Sequence, residues 1–171
     1  VWFMRQAGRY MPEYRAIRKD HPILDICKTP RLASEVTMQP IAALDVDAAI
    51  IFADLLLPLE PMGLNLEFVA GDGPKIHNPV RTTQDIDRLQ LHRTAELNYV
   101  AEALSLTRAA LPAEKALIGF VGAPFTLASY MIEGGSSRHY AATKRMMYSD
   151  KPAWDALMEK IVEVVTPFAA S

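Results

Sequence analysis

Three short runs of apolar residues, 1–4, 48–53 and 117–121, stand apart from the longer periodic stretches around them. None alternates with polar residues, which predicts strands covered on both faces, as in a parallel sheet. Between them the period changes to that of a helix. Residues 12–19 predict a short one. Thr29 and Pro30 have the form of an N-cap followed by proline at the first helical position, opening a helix to about Leu44. Thr94 can cap another, in which Leu97, Val100, Ala101 and Leu104 fall on one face. Residues 123–135 predict an apolar helix broken by Gly134 and Gly135, and 136–147 and 152–165 predict two more.

Strand and helix alternate, so the class is α/β with right-handed crossovers. One stretch departs from the alternation. Residues 64–69, the turn Gly71-Asp72-Gly73 and residues 74–80 predict a β-hairpin excursion. There is no internal repeat, low-complexity tract or linker. About three parallel strands cannot close a barrel, which takes eight strands and about 250 residues. The chain therefore reads either as a small open sheet or as part of a barrel. Val1 lies inside an apolar run without an initiator Met, and Ser171 follows closely on a helical stretch. Both predict that residues 1–171 form a single incomplete domain, part of something longer.

Half of the residues are apolar and 22% are charged, the balance of a chain that folds around a core. A net charge of −2 supplies no field that would gather nucleic acid or an anionic membrane. The apolar runs fall far below the roughly 18 residues of a spanning helix. Arg5 and Arg9 follow the apolar opening instead of preceding it, unlike a signal peptide. One cysteine, Cys27, excludes an internal disulfide, offers no thiolate cluster for zinc and predicts a reducing compartment, the cytoplasm. His21, His77, His92 and His139 are scattered without ligand spacing and read as surface residues, so no metal site is expected.

In α/β folds ligands gather at the carboxyl ends of the strands. The first predicted strand runs into Arg5-Gln6-Ala7-Gly8-Arg9, the second ends at Asp54, and the third leads through Gly122-Ala123-Pro124 to a helix carrying Tyr130. Two guanidinium groups four residues apart, with Gly8 between them, can fold around one anion while the backbone approaches it. Arginine offers a rigid donor fork matched to carboxylate or phosphate, which lysine lacks. Residues 1–20 hold five cations (Arg5, Arg9, Arg15, Arg18, Lys19) against two anions (Glu13, Asp20), so positive charge concentrates beside the first strand end. Arg15 and Lys19 read equally as a solvated helix face. Asp54 follows six uncharged residues, and a carboxylate there is costly to desolvate unless something donates to it. The donor is a substrate N–H group or an arginine; a helix cap is the other reading. Tyr130, taken alone, reads as core.

Three stretches carry a resemblance: VWFMRQAGRYMPEYR at residues 1–15, AAIIFAD at 48–54 and GFVGAPFTLASYMIEGG at 119–135. On these the sequence resembles the uroporphyrinogen decarboxylase family of haem and chlorophyll biosynthesis. Residues 71–74 also fit, so the resemblance covers essentially the whole chain. It implies the N-terminal half of a (β/α)8 TIM barrel. It further implies a loop Arg5, Gln6, Ala7, Gly8 and Arg9 that binds substrate, with Arg5 and Arg9 on propionate or acetate carboxylates and Arg18 as a further contact. Asp54 matches an aspartate that accepts from pyrrole N–H groups, and Tyr130 a tyrosine beside the substrate, against its reading as core. A serine or threonine and a histidine that the family also uses would lie beyond Ser171.

The implied reaction removes carbon dioxide from four acetates of uroporphyrinogen. Protonating a pyrrole carbon makes a cationic ring that accepts the electrons released, so the substrate is its own electron sink and no cofactor is expected. The resemblance implies a cytoplasmic homodimer when full length. Two rival readings stand beside it: a zinc-dependent corrinoid or thiol methyltransferase on the same scaffold, and a non-catalytic half-barrel that binds tetrapyrroles.

Overall fold

A computed structural model of the chain describes residues 8–69 and 71–170. Three helices, α1 (Pro12–Asp20), α2 (Ile23–Lys28) and α3 (Pro30–Leu44), precede strand β1 (Ala48–Ile50). The hairpin strands β2 (Leu66–Val69) and β3 (Gly73–Ile76) follow, then α4 (Thr83–Asp87), α5 (Asn98–Ala110) and β4 (Ala116–Ile118). Helices α6 (Pro124–Glu133), α7 (Ala141–Ser149) and α8 (Lys151–Ala170) complete the order. The chain divides into two compact units, Val1–Asp54 with Asn98–Phe120, and Leu55–Leu97 with Val121–Ser171.

In the first unit β1 and β4 pair in parallel, Ala48 opposite Ala116 and Ile50 opposite Ile118. The strand predicted at residues 1–4 lies outside the described residues. Helices α3 and α5 pack side by side, and Ala33, Ile51 and Ala103 form a buried cluster between helices and sheet. A second cluster, Ile41, Val46, Ala49 and Leu111, seals the end where the strands begin. At that end Lys115 Nζ donates to Asp45 Oδ1 at 2.8 Å and to the Val46 carbonyl at 2.7 Å. The ammonium beside Asp45 holds its carboxyl below the ordinary carboxylate range. Among the described residues the apolar run 117–121, of which β4 takes the first part, is covered less than predicted, with Ile118 at 39% and Phe120 at 40% exposure.

Proline sets the starts of α1 and α3, since its missing N–H falls where no intrahelical acceptor exists. Glu13 in the first turn of α1 and Arg18 and Lys19 in its last oppose the helix dipole. Thr29 occupies the N-cap position of α3, but its side chain makes no capping bond. Thr94 opens a 3-10 turn, Thr94–Leu97, and the α-helix itself starts later, at Asn98.

The second unit holds the predicted hairpin. Gly71 and Gly73 take φ of 88° and 83°, a region that an L side chain resists, and so permit the tight turn. Its strands pair antiparallel, Leu66 opposite Ile76. Leu127, Met131, Ile132, Leu157 and Ile161 of α6 and α8 are buried. Lys160 Nζ donates to the Ile86 carbonyl at 2.8 Å, tying α8 to α4. The helix predicted over 136–147 begins only at Ala141, after Tyr140 at its N-cap takes the left-handed region at φ 53°; ahead of it Gly135 bridges Lys75 of the hairpin.

Candidate functional site

Of the opening loop, Arg5, Gln6 and Ala7 lie outside the described residues. Gly8 is buried at φ +76°, and its carbonyl accepts from the Met11 N–H at 2.8 Å. A Cβ on it would stand 3.2 Å from Met11 Sδ and 3.6 Å from Pro40 Cδ. The turn from Gly8 to Met11 is therefore pressed against α3, and it presents Arg9, exposed, at its tip.

Asp54 is half-buried and follows the carboxyl end of β1. Its approach is set by backbone bonds on both edges of the chain ahead of it. The Ile51 N–H donates to the Ile118 carbonyl at 3.0 Å on the β4 edge, and the next N–H, that of Phe52 on the opposite edge, donates to Thr37 Oγ1 at 2.8 Å. The Phe52 ring lies 5.7 Å from that of Tyr14 on α1 and packs on a cluster of Met11, Tyr14, Ile26 and Val36. Met11 closes the turn that carries Arg9, and Phe52 stands two residues before Asp54. One apolar cluster thus anchors the approach to both groups.

Arg18 lies near the far end of α1 from Arg9, exposed, and its Nη1 donates to the His21 carbonyl at 2.8 Å. A guanidinium has five N–H donors, so this cap leaves others for a ligand. Tyr130 belongs to the second unit, half-buried on α6. It is not part of the buried core, against its reading from sequence alone.

Helix α6 is gripped at both ends. At its start a Cβ on Gly122 would lie 2.6 Å from Leu127 Cδ2 and 3.3 Å from the Leu55 carbonyl, so only glycine fits without a shift. At its other end Val80 N–H donates to the Met131 carbonyl at 2.8 Å, Ile76 N–H to the Gly134 carbonyl at 2.8 Å, and Arg81 Nη2 to the Glu133 carbonyl at 3.3 Å. These satisfy carbonyls that a helix end leaves without partners. Glu133 Oε1 accepts from the Thr143 N–H and hydroxyl, each at 2.9 Å. Burial pushes the Glu133 carboxyl up, but the Thr143 bonds, the Arg81 guanidinium and the Ala142 N–H together outweigh it and hold the group below its ordinary value.

His77, His92 and His139 are exposed, as expected, and His21 is half-buried. His77 Nε2 meets Glu67 Oε2 across the hairpin at 2.7 Å. Cys27 is buried. Among the described residues no group of three or more His, Cys, Asp or Glu side chains is placed to hold a metal ion, and no helix is long and apolar enough to cross a membrane. Sequence reasoning passed over Thr37, one of two hydroxyl residues, with Ser34, on the buried face of α3 that also holds Ala33, Val36, Pro40 and Ile41.

Comparison with known proteins settles the family. The model of the family described as uroporphyrinogen decarboxylase (URO-D) matches residues 1–171. The chain belongs to the uroporphyrinogen decarboxylase family. A protein of Solibacter usitatus named uroporphyrinogen decarboxylase is 62% identical over 171 residues, which is 100% of this chain and 50% of that protein. Relatives of the same name from Sorangium cellulosum and Koribacter versatilis are 59% and 54% identical, over 96% and 99% of the chain and 47% and 48% of their own lengths. The chain spans about half the length of the curated relatives it matches. Among solved structures, a methyltransferase from Methanosarcina mazei superposes with a TM-score of 0.58 at 13% identity, over 83% of this chain and 44% of that one. At that identity the likeness is one of fold alone. It is consistent with a partial α/β barrel.

Proposed function

We propose that the chain is the N-terminal part of a uroporphyrinogen decarboxylase, a carboxy-lyase that converts the four acetate side chains of uroporphyrinogen III to methyls, giving coproporphyrinogen III. The observation that carries this reading is the 62% identity over the whole chain to a relative of that name. The arginine turn and the strand-end acid, anchored on one apolar cluster, suit a substrate with carboxylates outside and pyrrole N–H groups inside.

Each acetate loses its carboxylate by the same sequence. A proton adds to a pyrrole carbon and leaves a cationic ring. The carbon–carbon bond to the carboxylate breaks, carbon dioxide departs, and the bonding pair neutralises the ring as an exocyclic methylene. Protonation of that methylene gives the methyl, and loss of the ring proton restores the pyrrole. The net change is one proton taken up for each carbon dioxide released. Asp54, accepting from the pyrrole N–H groups, favours the cationic ring more than the neutral one, which is the differential stabilisation a catalyst needs. Arg5 and Arg9 clamp peripheral carboxylates, with Gln6, Ala7 and Gly8 shaping the loop, and hold the macrocycle in place. Arg18 adds a further carboxylate contact, and Tyr130 stands beside the bound substrate. The two units are parts of one incomplete domain, and the full-length protein works as a cytoplasmic homodimer.

The test incubates uroporphyrinogen III anaerobically with this chain, and with the chain completed to the length of its relatives. Carbon dioxide release and coproporphyrinogen are measured. The completed chain releases four equivalents per macrocycle. No release from a folded completed chain refutes the proposal.

A further inference from the structure

The hydroxyl of Thr37 has no role in the chemistry above, yet it is placed where that chemistry is set up. Thr37 is only 3% exposed, on the α3 face turned to the sheet. Its Oγ1 donates to the Ala33 carbonyl one turn back at 2.7 Å, and this fixes the oxygen's orientation. A remaining lone pair accepts the Phe52 N–H at 2.8 Å. Phe52 directly follows Ile51, whose N–H bonds β4, and its own N–H, turned to the other edge of β1 and partly buried, takes this acceptor. Valine would fill the same volume among Ala33, Val36 and Ile41 and match threonine in helix propensity. Packing alone therefore does not call for the hydroxyl. The bond to Phe52 does.

Two consequences converge on the proposed site. Asp54 lies two residues beyond the anchored N–H, so the Thr37 bond sets the point from which its carboxylate is presented. Phe52 also carries the ring that meets Tyr14, on the helix entered from the Arg9 turn. We infer that Thr37 is a positioning residue: its hydroxyl pins the exit of β1 to α3, and so holds Asp54 in the geometry that the ring-protonated substrate needs. This rests on the reading of Asp54 given above and deepens it.

The experiment compares Thr37→Val, Thr37→Ser and Asp54→Asn in the chain completed to the length of its relatives, reading kcat and KM for uroporphyrinogen. Circular dichroism checks folding. Misplacing a catalytic group by about an ångström costs up to roughly a hundredfold in rate. Thr37→Val is expected to lower kcat roughly ten- to a hundredfold with KM within about threefold of the parent. Thr37→Ser keeps the hydroxyl but loses a packed methyl, and it is expected to recover kcat to within about threefold. A less well packed variant that is the more active one is the signature of positioning, since a purely structural role orders the two the other way. Where valine is not tolerated, Thr37→Ala gives the same comparison with serine. Parental kcat in Thr37→Val, or serine no better than valine, overturns the inference while Asp54→Asn is impaired. Parental kcat in Asp54→Asn overturns the reading of Asp54 and this inference with it.

Discussion

Gly8→Ala tests whether the turn that presents Arg9 is as constrained as its backbone implies. At φ +76° an L residue brings Cβ against its own carbonyl, which costs about 1–2 kcal/mol. The new methyl would meet Met11 Sδ at 3.2 Å and Pro40 Cδ at 3.6 Å. The second distance is ordinary contact and the first asks a flexible thioether to move by a few tenths of an ångström, so sterics add little. Alanine also restricts the unfolded chain, returning about 0.4–1 kcal/mol. The net is a destabilisation on the order of 1 kcal/mol, and in a chain of this size that lowers Tm by about 2–4 °C. Differential scanning calorimetry of this chain and of the variant measures it. In the completed chain the displaced turn carries Arg9 with it, so KM for uroporphyrinogen rises while kcat changes less. A variant as stable as the parent, or more so, would mean that Gly8 is not held in the left-handed region, and the account of the turn would be wrong.

Asp54→Asn, which keeps shape and loses charge, is expected to lower kcat roughly a hundred- to a thousandfold, with KM within about threefold. A defect in binding alone removes Asp54 from the chemical step. Arg9→Lys leaves the charge and abolishes the fork; losing one charge-assisted bond of about 1.5–3 kcal/mol raises KM roughly ten- to a hundredfold, and near-parental KM counts against carboxylate clamping. Thr143→Val removes a hydroxyl bonded to Glu133 and is expected to cost about 1 kcal/mol at neutral pH in urea unfolding. Because the folded state holds the Glu133 carboxyl below its unfolded value, this stabilisation is present above the unfolded value and fades as pH falls through the folded one. Parent and variant therefore converge in acid, and a gap that persists undiminished there contradicts the ionic role of Glu133.

Much of the framework is written in local signals. Pro12 and Pro30 mark helix starts because a missing N–H is tolerated only there, and Gly71 and Gly73 mark a hairpin because few other residues turn so tightly. The strand at Ala48–Ile50 is shorter than its apolar run, and just past it the Phe52 N–H is held by Thr37, a partner on another element that no local pattern announces. The start of α7 is delayed to Ala141, where Tyr140 at φ 53° marks the boundary, a left-handed tyrosine that no sequence rule announces. At the proposed site, the charge pattern singles out Arg9, and the isolation of Asp54 among apolar residues singles out the acid. Tyr130, amid apolar neighbours on a helix, reads as packing from sequence, whereas the structure leaves it half-buried. Thr37 was illegible for the opposite reason: it is buried and uncharged, and its importance depends on what it bonds.

Strands β1 and β4 share no hairpin bend, and neighbours so remote in sequence need some other means of choosing which residues face each other. Lys115 is suited to that choice. Its ammonium reaches Val46 and Asp45 just ahead of β1 while its own backbone leads directly into β4, so it works as an alignment peg. Sliding one strand past the other by a single residue would withdraw the peg and turn Ala49 and Ile51 away from the helices. The chemistry proposed at the far rim of the sheet is thus aimed, in part, by one lysine at its base.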